Sequence, residues 1–99
     1  MRAVRLTDRQ IEGIKSAVRE VFGDSARVYL FGSRTDISKK GGDIDLLVLV
    51  EDGEDMYQKK IQLLGRLYKV LGERKIDLIV TDRPETDIEK HAITEGIEL

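Results

Sequence analysis

Apolar residues recur at helical spacing through Ile11, Ile14, Val18, Val21 and Phe22, a run that predicts a first helix. Thr7 stands where an N-cap is needed, Gln10 completes a capping box, and Gly23 ends the pattern as a C′ glycine. Ala26 to Phe31 is a short run dense in Val, Tyr, Leu and Phe, which suits a strand. Gly32 to Gly42 is polar and glycine-rich, a loop with room for one helical turn. Asp43 to Val50 then reads Asp-Ile-Asp-Leu-Leu-Val-Leu-Val, apolar on both faces beyond its first residues, as a strand covered on both sides must be. After an acidic turn at Glu51 to Asp55, a second helix is expected from about Asp55 to Leu71. Its stripe is read as Tyr57, Ile61, Leu64, Tyr68 and Leu71, with both tyrosines packed in the core. Ile76 to Val80 makes a third strand. A second capping box, Thr86 with Glu89, opens a last helix through Ile88, Ala92 and Ile93 to about Gly96, with Pro84 in the turn before it.

This alternation predicts an α/β (α+β) fold, a small mixed β-sheet of three to four strands with helices packed on it. The 99 residues fill one domain, expected to span 1–99. Composition then removes several classes of function. A net charge of −2 makes no bulk case for nucleic acid or an anionic membrane. The absence of cysteine rules out disulfides, thiolate nucleophiles and zinc–thiolate sites. No apolar run approaches the ~18 residues of a membrane span, and no signal-peptide core follows Met1, so a soluble cytoplasmic protein is expected.

Aspartate changes the picture. Two of the 10 Asp, Asp43 and Asp45, are separated by one residue at the entrance of the most apolar strand. Residues i and i+2 of a strand share a face, which sets these carboxylates roughly 6–7 Å apart. The pentapeptide Ile44-Asp45-Leu46-Leu47-Val48 is echoed by Ile76-Asp77-Leu78-Ile79-Val80. The intervening helix has the length of a crossover, so the two strands can run parallel and bring Asp77 within ~4.8 Å of the strand carrying Asp45. If the first two strands are antiparallel neighbours, Gly32 and Ser33 reach the same rim. Clustered carboxylates repel, and a divalent cation relieves that repulsion. All-oxygen ligands select Mg²⁺ or Mn²⁺ over Zn²⁺. A glycine–serine turn adds backbone N–H groups for phosphate oxygens. Together these fit in-line nucleotidyl transfer assisted by two metals ~3.5–4 Å apart.

Leu30-Phe31-Gly32-Ser33-Arg34, followed by Asp43-Ile44-Asp45-Leu46 with nine residues between Ser33 and Asp43, resembles the signature of the DNA polymerase beta-like nucleotidyltransferase superfamily. Within it, the chain is most similar to the minimal nucleotidyltransferases, the small MNT-domain antitoxin-type proteins. The resemblance covers nearly the whole chain and implies the polymerase beta-like palm fold. It implies that Asp43 and Asp45 hold metal ions, and that Asp77 completes a metal site and helps deprotonate an attacking hydroxyl. Gly32 and Ser33 would hold the nucleotide triphosphate, with Arg34 as a phosphate contact. The family transfers a nucleoside monophosphate, commonly AMP from ATP with Mg²⁺, to a hydroxyl and releases pyrophosphate. In the antitoxin branch the acceptor is a tyrosine of a partner HEPN-domain ribonuclease toxin. The chain departs from the usual antitoxin pattern in its nine-residue spacing, where ten is common, and in Thr35 and Asp36 after Arg34.

Plainer readings stand beside these. The paired aspartates can be solvated acids at a strand entrance, Asp77 can pair with Arg74 or Lys75, and Gly32-Ser33 can be only a turn. Lys39 and Lys40 read as a solvated loop. His91 has no metal-spaced companion. A non-catalytic binding module that neutralises a toxin by docking is the alternative to an enzyme. So short a chain supplies half of an enclosed site, which points to a homo- or hetero-oligomer.

Overall fold

The computed structural model describes residues 6–32, 44–72 and 75–99. These form α1 (Asp8–Phe22), β1 (Arg27–Phe31), β2 (Ile44–Leu49), α2 (Met56–Leu71), β3 (Ile76–Thr81), α3 (Asp87–Glu95) and β4 (Ile97–Glu98). The strands join in one mixed sheet of order β3-β2-β1-β4. β1 lies antiparallel to both β2 and β4, whereas β2 and β3 are parallel across the α2 crossover.

Strand alternation sorts the apolar residues into two layers. Val28, Ile44, Leu46, Val48, Ile76 and Leu78 face α1 and α2, where they meet Ile14, Val18, Leu63 and Leu67. Tyr29 and Leu47 turn to the other face, packing with Ala92 of α3 and with Phe31, Leu49, Ile79 and Ile93 around them. The buried, doubly covered β2 is the consequence expected of its unbroken apolar run. Among the described residues no helix is long and apolar enough to cross a membrane.

Both predicted capping boxes are present. At α1, the Thr7 hydroxyl accepts from the Gln10 N–H at 3.1 Å, and the Gln10 side chain accepts from the Thr7 N–H at 2.9 Å. At α3, the Glu89 carboxylate accepts from the backbone N–H groups of Glu85 at 2.9 Å and Thr86 at 3.2 Å. These bonds, that from Glu85 first, hold the Glu89 carboxyl below its ordinary pKa of 4.5. The folded state therefore gives up this proton more readily than the unfolded chain. The bond's contribution is full above the unfolded pKa and is lost as pH falls through the lower folded value. Replacing Thr86 by Ala should cost about 1 kcal/mol in urea melts at neutral pH. Glu89→Gln should show a shallower loss of stability than the wild type between pH 6 and pH 3. Parallel slopes for the two proteins would show that ionisation of Glu89 contributes nothing to the cap.

One expectation needs correction, and the fourth strand allowed for the sheet is now located. The stripe read for α2 is only in part the one that the sheet covers, since Leu71 is buried and Leu64 packs half-buried against the core. Tyr57, Ile61 and Tyr68 are 76%, 52% and 47% exposed, and the buried residues are Leu63, Leu67 and Leu71. The tyrosines are therefore not core residues. The chain also ends in β4, which the residue pattern did not single out. There Ile97 pairs with Leu30 and Glu98 with Tyr29. Gly96 makes this return possible, since a Cβ at that position would collide with the Ala92 carbonyl and come within 3.0 Å of the Leu30 carbonyl.

Candidate active site at the entrance of the parallel strands

The echoed pentapeptides lie side by side in register. Ile44 pairs with Ile76, Asp45 with Asp77, Leu46 with Leu78, Leu47 with Ile79 and Val48 with Val80. The repeat thus places Asp45 and Asp77 shoulder to shoulder on adjacent strands ~4.8 Å apart. On the other side of β2, Phe31 of β1 stands opposite Asp45. By alternation both carboxylates lie on the α3 face, one step along the strands from Leu47 and Ile79.

Gly32 follows the last residue of β1, and an ideal Cβ there would sit 3.1 Å from Asp45 Oδ2. The absence of a side chain is what leaves the space beside that carboxylate, the use expected of a glycine where backbone must approach a ligand. Of the residues expected at the site, the structure brings together Gly32, Asp45 and Asp77. Ser33, Arg34 and Asp43 lie outside the described residues. Phe31 enters as an apolar wall beside Asp45, a role that the motif did not indicate, although its place before Gly32 marks it.

Asp45 is only 7% exposed, whereas Asp77 is half-buried. Two ionised carboxylates about 5 Å apart repel by roughly 3 kcal/mol at an effective dielectric constant of about 20. A cation held between them reverses the sign of that term. Oxygen-only ligands, partial burial and a clear flank at Gly32 fit Mg²⁺, which takes a few carboxylates and completes its shell with water and substrate phosphates. Among the described residues, no three His, Cys, Asp or Glu side chains gather at metal-binding distance. The third carboxylate of the expected set, Asp43, is not one of them.

A groove at the opposite end of the sheet, beside Ala26, Leu49 and Pro84, is rimmed by Asp24, Glu51, Asp82 and Glu98. Four acids against Arg27 make that end hostile to a triphosphate. His91 is exposed on α3.

The family model described as Polymerase beta, Nucleotidyltransferase matches residues 13–99. Comparison with curated proteins returned no match. A match that runs from α1 to the C-terminal residue, over a mixed sheet that sets Gly32, Asp45 and Asp77 at one rim, shows that the chain belongs to the polymerase beta nucleotidyltransferase family.

Proposed function

We propose that this chain transfers AMP from ATP to a hydroxyl of a protein partner, with Mg²⁺ or in its place Mn²⁺. In this reading it works in the cytoplasm as the antitoxin of a HEPN-domain toxin and modifies a toxin tyrosine. The observation that carries the proposal is the in-register pair of Asp45 and Asp77 beside the side-chain-free flank of Gly32. Family membership supports nucleotidyl transfer in general, and the resemblance to the antitoxin branch supports the acceptor.

Each residue has a defined task. Asp45 and Asp77, with Asp43 by the family motif, would hold the metal, which would supply positive charge to the phosphate oxygens. Backbone N–H groups at Gly32 and Ser33, with the Ser33 hydroxyl and Arg34, orient the triphosphate. Asp77 accepts the proton of the attacking hydroxyl as its oxygen bonds to the α-phosphorus. The bond from the α-phosphorus to the bridging oxygen breaks, and pyrophosphate leaves with that electron pair. The described acids do not enclose a base or an acceptor, and a partner chain completes the pocket.

Purified chain, purified partner and ATP labelled at the α-phosphate test the proposal. Label should pass to the partner only with divalent metal, and a Tyr→Phe change at the acceptor should abolish it. Mg²⁺ and ATP together should also stabilise the chain, by about 2.7 kcal/mol at a hundredfold excess over Kd. A chain that rescues cells from the toxin, transfers no label and rescues equally as Asp45→Asn is a docking module.

A further inference from the structure

We infer that the exposed face of α2 is a docking surface for an amphipathic helix with an acidic rim, supplied by another protein. Tyr57, Ile61, Leu64 and Tyr68 follow one another at steps of four, three and four residues, the seam spacing of helices that pack side by side. On an ideal helix they fall within an arc of about 60°. Tyr57, Ile61 and Tyr68 are exposed and Leu64 is half-buried. A contiguous apolar row of this kind, left in water, marks an interaction site.

The surroundings say what the row faces. Arg66 lies nearly opposite it on the helix and pairs with Glu20 of α1 at 2.7 Å. The row therefore turns away from α1. Since α2 packs on β3, the outermost of the described strands, the row turns toward that side of the sheet. Gly65 borders it with open space where a Cβ would be, so a second backbone can come close.

Charge selects the occupant. α2 carries Lys59, Lys60, Arg66 and Lys69 and no acid. With the whole chain at −2, the rest of the molecule is left at −6. Among the described residues, Lys59, Lys60 and Lys69 have no ion-pair partner. Lys60 and Lys69 flank the row on its two sides, where an incoming helix would set its own flanking residues. Two copies of α2 face to face would set Lys60 and Lys69 of one against Lys60 and Lys69 of the other, with no acid of α2 between them. A polyanionic nucleic acid would meet the −6 of the remaining surface, and its bases would find Ile61 and Leu64 between the two tyrosines. Glu or Asp on a partner helix answers Lys60 and Lys69 directly. This surface is independent of the catalytic reading.

Two labelled synthetic helices test it, identical in a leucine seam of four-three spacing and different only in a Glu or a Lys rim. The full chain should bind the Glu-rimmed helix at least about tenfold more tightly than the Lys-rimmed one. Ile61→Glu, a surface change that leaves the melting temperature near the wild-type value, should abolish this binding. Lys60→Glu with Lys69→Glu should invert the preference. Equal binding of both helices, or binding of neither, overturns the proposal. So does a dimer of the chain alone in sedimentation velocity that Ile61→Glu dissolves. Binding to phosphatidylserine vesicles or single-stranded RNA that the same variant removes, without binding of the Glu-rimmed helix, overturns it as well.

Discussion

Asp45→Asn is expected to lower nucleotidyl transfer by on the order of 10³-fold or more, while the protein still folds. Asn has the shape of Asp, so Phe31 on one side and Asp77 on the other keep their neighbour across the sheet. The substitution removes a negative oxygen from a ligand set built on charge, and an amide binds Mg²⁺ far less well than a carboxylate. Asp77→Asn should cost as much, since the two acids share one rim and the proposed reaction also gives the hydroxyl proton to Asp77. Both variants should lose the thermal stabilisation that Mg²⁺ and ATP are expected to give to the wild type. Asp82→Asn, an exposed acid at the far end of the strands, should leave transfer unchanged. Labelled transfer at matched protein concentration checks all three. Activity within tenfold of wild type for Asp45→Asn would remove the carboxylate pair from the chemistry.

That this pair can be named at all shows how far the residues alone carry the fold. The echo of Ile-Asp-Leu-Leu-Val in Ile-Asp-Leu-Ile-Val is legible because parallel neighbours buried on both faces need the same residue types at the same steps. The structure sets the two copies in register, residue against residue. Capping boxes at Thr7 and Thr86 are legible because their chemistry is local, confined to four residues each. What stayed illegible depends on contacts distant in sequence. The apolar residues of α2, from Met56 through Leu71, cover about half of the helix circumference. Periodicity locates that arc but not which half of it the sheet takes, and Leu63 with Leu67 won over Ile61 with Tyr68. β4 has two residues, too few for a period of two to register. Its signal is Gly96, whose meaning depends on the Leu30 carbonyl across the sheet. Gly32 beside Asp45 was legible only as a motif, and the Oδ2 distance gives it a physical reason.

The largest loss of stability is expected from Leu46→Ala, next in the chain to Asp45. Leu30, Leu46 and Leu78 stand in one row across β1, β2 and β3, on the face that meets Leu63 and Leu67 of α2. Leu46 is completely buried at the middle of that row. Strands on both sides and helices above leave the site little freedom to collapse, so truncation leaves a cavity and costs about 2–5 kcal/mol. For a domain holding roughly 5–15 kcal/mol in all, that is a large share. At about 4–8 °C per kcal/mol for a chain of this size, the melting temperature should fall by at least about 8 °C. Ile61→Ala is the paired experiment. It removes comparable apolar volume from α2, but from the exposed row, and should cost about 0.5 kcal/mol or less. The two melts separate the covered face of α2 from the open one. If Ile61→Ala costs as much as Leu46→Ala, the row is packed in the core and no partner helix has a surface to meet. If Leu46→Ala is harmless, β2 is not the central strand and the Asp45 site loses the rigid floor that holds its carboxylate beside Asp77.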